Sequence, residues 1–361
     1  MISIIICTRR PHALQELSEN VSQTIGVPFE TVLVDNSDNR YSLCAAYNEG
    51  VRRAKGDILC FMHDDITLYT PGWGRNVERH FESPEVGMIG PVGSHFIPSE
   101  GDWRVGYAPY HVLHFIQQNH TLSPYPSYFS EHVRDGLQGA FTEVATLDGV
   151  WFCLPKALFD EGIVRFDEER FTSFHIYDLD ISMQVVHAGK KLYVVDDVLL
   201  EHQSQGVYNE SFVTSLTEFL KKWDGQLPVT RGMNMDIEKL IQQAPHYRDE
   251  LLRRIENDRD VLAIRNHWKE AVSGTRTTSL TARQKEMVSF SEFIFIKNVM
   301  KYHPDKQAAS QQLKLRWGNL SASHRIQILW KYFVYRILRI PCKKKSMNFF
   351  ISNGNPTPAA K

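Results

Sequence analysis

Three apolar runs at the start of the chain each end in polar side chains, and this repetition constrains the fold more than any other feature. ISIIICT (2–8) and DILCFM (57–62) are continuous apolar runs, the pattern of strands buried on both faces. FETVLVDNS (29–37) is a further strand candidate, closing on Asp35-Asn36-Ser37. Between them, HALQELSENVSQTI (12–25) and SLCAAYNEGVRRAK (42–55) have helical spacing, and Gly56 stops the second. Strand, helix, strand, helix, strand predicts a mostly parallel α/β sheet with right-handed crossovers. Sheets of this kind bind ligands beyond the carboxyl ends of their strands. Thr8, Asp35 and His63-Asp64-Asp65 lie at such ends, so three separate segments are expected on one rim.

Farther along, residues 94–145 mix aromatics, Pro and Gly without a clear period and are expected to form an irregular insertion over the sheet. Order returns with LDGVWFCLPKALF (147–159) and a helix expected from Tyr177 to Ala188, stopped by Gly189. KLYVVDDVLLEH then reads as strand residues leading to His202. Beyond about residue 210 the segments are helix-rich and amphipathic. The expected organisation is a catalytic α/β domain over 1–207, a helical region over 208–345 and a mobile tail over 346–361.

The 41 Lys and Arg residues balance 42 Asp and Glu, which gives no support to nucleic-acid binding. The five cysteines have no metal-binding spacing, and Cys7, Cys44, Cys60 and Cys153 sit in or beside apolar stretches as core thiols of a reducing compartment would. The strand-like MISIIICT opening leads us to expect no signal peptide, and no apolar run reaches the ~18–20 residues of a membrane span. A cytoplasmic protein is expected.

The rim carries the chemistry. Neighbouring carboxylates repel, and a protein keeps them where a cation or hydrogen-bond donors compensate. Asp64 and Asp65 offer hard oxygen ligands of the kind Mg²⁺ and Mn²⁺ prefer, while the His63 imidazole suits Mn²⁺ better. A divalent ion so held bridges to substrate phosphates, which suggests a nucleotide–metal site. The alternative is a solvated surface turn.

The order SIIICTRRP, VLVDNS, then AAYNEGVRRAKGDILCFMHDDI closely resembles the nucleotide-binding half of inverting, GT-A-fold glycosyltransferases of the family 2 type. LDGVWFCLPKALF and FHIYDLDISMQVVHAGKKLYVVDDVLLEHQSQG resemble the acceptor-side half. His63-Asp64-Asp65 with Tyr177-Asp178-Leu179-Asp180 is particularly similar to a subgroup named after a streptomycin-biosynthesis protein. The resemblance covers residues 1–207. It implies a GT-A-like fold and transfer of a sugar, with inversion, from a nucleotide-diphosphate donor to a glycan, lipid-linked or small-molecule acceptor.

In that scheme Thr8, Arg9, Asp35, Asn48 and Asp64 bind the nucleotide donor, with Arg10 an alternative to Arg9. Asp65, His63 and His202 hold Mn²⁺ or Mg²⁺, and Asp178 is the base. At a helix N-terminus, the dipole is expected to lower the Asp178 pKa. The sequence departs from the family at His63 and Tyr177, each standing where an acidic residue is usual.

Simpler roles compete. Asp178 and Asp180 could complement a helix dipole, His175 and His187 are expected to be structural, and Asp196-Asp197 to be a solvated turn. Asp148 is expected to face the acceptor, and Trp151 to be either core or a sugar platform. HRIQILWKYFVYRILRIPCKKK fits either peripheral contact with an anionic membrane or packing on the catalytic domain or a second subunit. A nucleotidyltransferase and a non-catalytic nucleotide- or sugar-binding protein are the competing functions.

Overall fold

The computed structural model describes residues 1–105, 107–118, 130–204, 206–273 and 279–288, with isolated positions between 314 and 330. The basic segment 324–345, the tail and Cys342 lie wholly or largely outside the described residues. No helix among the described residues is long and apolar enough to cross a membrane.

The expected alternation is present as β1 (Ile2–Thr8), α1 (Gln15–Thr24), β2 (Phe29–Asp35), α2 (Leu43–Arg53) and β3 (Ile58–Met62). The chain continues through β4 (Ile66–Leu68), α3 (Trp73–His80), β5 (Val86–Gly90), β6 (Val92–Ser94) and β7 (Phe96–Ile97). Next come β8 (His111–Gln118), β9 (Ser130–Asp135), β10 (Phe141–Val144), β11 (Thr146–Leu147), β12 (Trp151–Pro155) and α4 (Ala157–Asp160). Last are α5 (Tyr177–His187), β13 (Lys191–Val195), β14 (Leu200–His202), α6 (Glu210–Lys222), β15 (Val229–Thr230) and α7 (Ile237–Ser273).

A seven-stranded sheet has the order β10-β13-β5-β12-β3-β1-β2. β1 pairs in parallel with β2 and β3, and the register sets Thr8 beside Asp35. β12 runs antiparallel between β3 and β5, so the loop before it arrives at the carboxyl end of β3. All five residues of β3 are buried, as the uninterrupted apolar run requires.

The described residues of 94–145 are not an irregular insertion. They supply β7, β8, β9 and β10, and a second sheet runs β11-β6-β8-β14-β4 with β9 on β8. Its β14 pairs His202 with Ile66, which carries His202 to the turn that follows β3. Two sheets therefore meet at His63–Asp65.

Chain contacts divide the molecule into two compact units, 1–118 with 130–256 and 119–129 with 257–361. In the first, α6 packs Phe212, Leu216 and Phe219 into the same core as the sheet. Lys222 Nζ donates to Asp167 Oδ2 at 2.8 Å and Asp180 Oδ2 at 2.9 Å, and Trp223 Nε1 donates to Asp180 Oδ1 at 2.9 Å. In the second, Arg283 pairs with Asp260 at 2.9 Å.

Gly50 lets α2 lie close on β1: a Cβ there would stand 2.3 Å from Ile5 Cγ2. Gly50→Ala is expected to lower stability by about 1–3 kcal/mol through overpacking, although Ala is the better helix former. Urea unfolding measures it, and a gain in stability would show that the two elements are not in contact.

Candidate active site

The turn after β3 presents its three polar residues in different directions. Asp64 faces the end of β1: Thr8 Oγ1 donates to Asp64 Oδ2 at 2.5 Å, and the Arg10 guanidinium lies 3.7 Å from Oδ1. Arg10, rather than Arg9, is the arginine that reaches the carboxylate; Arg9 is exposed. Asp35, also exposed, sits beside Thr8 in register and accepts the Ser37 N–H at 2.9 Å, which holds its carboxyl below the usual range. The Asn48 amide nitrogen donates to the Phe166 carbonyl at 2.8 Å and its oxygen accepts the Phe166 N–H at 3.3 Å, so its side chain pins a loop in this structure.

His63 and Asp65 turn the other way, toward His202. One donor atom from each of the three lies within 4.8 Å of the others. Hydrogen bonding fixes where the ring protons sit. Tyr177 Oη donates to the Gly149 carbonyl at 3.0 Å, so it must accept from His63 Nε2, also at 3.0 Å. Gln117 Nε2 faces the carbonyls of Gln118, His202 and Ser204, which leaves its Oε1 to accept from His202 Nδ1 at 3.3 Å.

The remaining ring nitrogens, His63 Nδ1 and His202 Nε2, are both lone-pair bearers, and they lie 3.3 Å apart. Asp65 Oδ1 is 3.5 Å from the latter and 3.9 Å from the former. Three electron-rich atoms facing one another call for a shared proton or a cation, and their identity suits a divalent transition metal. Burial, aided by His202, lowers the His63 pKa to about 4, so the ring is neutral near pH 7 as a metal ligand must be. Burial pushes the Asp65 pKa up, but with the shared proton on the His202 side, His202 and then Ser204 outweigh it and hold the carboxyl below the usual range.

Behind His63, the His63 backbone N–H donates to the Val150 carbonyl at 3.0 Å, bringing up the Asp148-Gly149 loop. Arg104 binds three aspartates there. Nε donates to Asp148 at 3.1 Å, one terminal nitrogen to Asp102 at 3.3 Å, and the other to Asp178. Gly149 N–H adds a bond to Asp178 Oδ2 at 3.1 Å. Burial raises the Asp178 pKa, with Asp148 adding to the rise, against the lowering by Arg104. The expected lowering by the helix dipole is thus outweighed by burial. Asp148 itself is held down by Arg104 despite burial. Two neighbouring carboxylates are pushed in opposite directions, as acid–base sites require.

Helix α5 delivers Tyr177 and Asp178 from a strained start: Ile176, buried and β-branched, has φ 72°. Backbone of this kind costs about 1–3 kcal/mol and persists where its surroundings impose it.

A cavity of about 400 Å³ is lined by His63, Arg104, Asp148, Asp178 and His202 together with Phe115, Phe174, His175 and Tyr208. Thr8, Asp35 and Asp64 lie on the adjoining rim outside it. His175 is therefore part of the pocket, with burial and then Arg104 lowering its pKa to about 4, whereas His187 is structural, its ring 4.8 Å from Trp223. Trp151 is core, packed edge-on to Trp73. Asp196 and Asp197 are not a solvated turn: Arg134 lies 3.1 Å from the former, and Arg79 and His80 each lie 3.0 Å from the latter.

A profile described as "Glycosyltransferase like family" matches residues 3–218, more than half of the sequence. The chain belongs to the glycosyltransferase-like family. As a family member it spans both halves of the sequence resemblance and extends beyond the match through α7. Among solved structures, it is similar to GalNAc-T7 with UDP, GalNAc and Mn²⁺ at 12% identity and a TM-score of 0.44, covering 62% of this chain and 48% of that one. It therefore spans about half the length of that relative. Residues 1–349 of S. aureus TarS match at 11% identity and a TM-score of 0.40, covering 90% of this chain and 91% of theirs. A search of curated proteins returns no match.

Arg104→Gln would leave three carboxylates without their shared cation. It is expected to cost about 3–5 kcal/mol near neutral pH. Asp148, ionised by Arg104 in the folded protein, would lose stabilisation that is normally present above the ordinary carboxylate range and lost as pH falls through its lowered pKa. The deficit of the variant should shrink as pH falls, and urea unfolding across pH measures it.

Proposed function

We propose that this chain is a metal-dependent, inverting glycosyltransferase of the GT-A type. It moves a sugar from a nucleotide-diphosphate donor to a hydroxyl of a glycan, lipid-linked or small-molecule acceptor. One observation carries the reading: His63 and His202, whose facing lone pairs have Asp65 beside them, line the same pocket as a buried carboxylate, Asp178, whose pKa is raised. The HDD and YDLD segments support the streptomycin-biosynthesis-protein-like subgroup.

His63, Asp65 and His202 would hold the cation, and their mixed nitrogen and oxygen donors favour Mn²⁺ over Mg²⁺. When bound, it acts as a Lewis acid on the departing diphosphate. Thr8, Asp64, Arg10 and Asp35 line the adjoining rim, where the nucleoside part of the donor binds. Asp178 removes the proton of the acceptor hydroxyl, whose oxygen bonds to the anomeric carbon while the carbon–oxygen bond to the diphosphate breaks on the opposite face. One displacement with one base inverts the centre. Arg104 and the Gly149 N–H hold Asp178 Oδ2, leaving Oδ1 with lone-pair capacity for the acceptor. Phe174, half exposed beside His63, and Tyr208 offer faces for an acceptor sugar ring.

Thermal-shift screening of UDP, GDP, CDP and dTDP with and without Mn²⁺ is expected to show stabilisation by one diphosphate that depends on the metal. No response to any of them would remove the donor assignment. Asp178→Asn should retain that response and lose at least about 100-fold in transfer rate. In the native enzyme the rate should fall as pH drops through the raised Asp178 pKa, because the base works only when ionised. An acid limb in the ordinary carboxylate range would assign the base elsewhere.

A further inference from the structure

Tyr177 takes a position at the join of the two halves of the pocket. It is buried, and its hydroxyl lies 3.0 Å from both His63 Nε2 and the Gly149 carbonyl oxygen. A phenol has one proton and a carbonyl oxygen only accepts, so the proton is committed to Gly149. The bond from His63 must then be donated by Nε2–H, which leaves Nδ1 bare. Gly149 is shaped to this contact: a Cβ there would lie 2.0 Å from the Tyr177 hydroxyl oxygen. The same glycine donates its N–H to Asp178 Oδ2 at 3.1 Å.

We propose that Tyr177 is a positioning residue that locks His63 in the Nε2–H tautomer and, through Gly149, joins that metal ligand to the base Asp178. The inference rests on the metal site described under Proposed function. Neutral imidazole alone carries no preference for which nitrogen faces Asp65 and His202, and partners one bond removed from a metal supply that preference. Packing alone is the competing role, since the Tyr177 ring also meets Tyr47 and Phe152. Tyr177→Phe keeps the ring and removes only the hydroxyl, so it separates the two.

The test uses the full chain labelled with ¹⁵N-histidine, with the His63 ring signals assigned by their loss in His63→Gln. In the metal-free wild type, long-range ¹H–¹⁵N correlation should show the proton on Nε2. A proton on Nδ1 overturns the proposal without any further variant. In Tyr177→Phe, near-ultraviolet circular dichroism verifies the fold, and the His63 signals should shift to a mixture of tautomers. Titrated with Mn²⁺ alone and followed by electron paramagnetic resonance of the free ion, that variant should bind about 10–100-fold more weakly than wild type. In a His63→Gln background it should bring no further loss. Unchanged tautomer or unchanged Mn²⁺ affinity overturns the lock alone; absence of Mn²⁺ binding by the wild type overturns the metal reading and the proposal with it.

Discussion

A single guanidinium holds the pocket together. Arg104 comes from the segment between β7 and β8, Asp148 from the loop before β12, and Asp178 from the first turn of α5, with Asp102 close by in sequence. Asp102 and Asp178 are buried and Asp148 is a quarter exposed, and burying carboxylates is costly unless a cation lies within reach. Asp102 is further tied by the Tyr208 hydroxyl at 3.0 Å. The strained start of α5 at Ile176 is tolerable in this setting, because the ion cluster and the surrounding core fix where Asp178 must stand. Geometry that would be costly in isolation is imposed by charges that have nowhere else to go.

Much of the rim was readable because its signals are local. A run of buried apolar residues, a turn and an acidic tripeptide occupy a dozen consecutive positions, and the parallel register of β1 and β2 follows from the helix between them. Arg104 was not readable, since two of its three partners lie 44 and 74 residues away and nothing in GDWR marks it as the centre of a cluster. The second sheet was missed for a related reason. Its strands are mostly short and separated by stretches rich in aromatics and prolines, and β14 pairs with the distant β4 and β8. At Asp178 the expected direction of the shift was reversed: a helix dipole acts along the local chain, whereas burial depends on everything packed above it.

His63 and Tyr177 show how separate departures from a pattern can be one feature. Read along the chain, each replaces an acidic residue and weakens the match. In space they bond to each other across 114 positions, and the exchange turns a carboxylate-rich corner into one where an imidazole is oriented by a phenol. Gln117 does the same service for His202 from the strand beside it. Neither glutamine nor tyrosine carries a spacing signal for such a task, because the requirement is one of direction and not of residue type.

The network around Lys222 sets where this chain can be cut. Asp180 in α5 and Asp167 before it share Lys222 from the last turn of α6, where Trp223 also closes over Asp180, while Asp167 has Arg170 at 3.5 Å as well. A fragment ended at residue 207, where the sequence resemblance stops, would leave the buried Asp180 without its counter-charge and strip Phe212, Leu216 and Phe219 from the core. Any minimal recombinant version has to run past Trp223, so the segment that looks like an appendage is a load the catalytic half cannot shed.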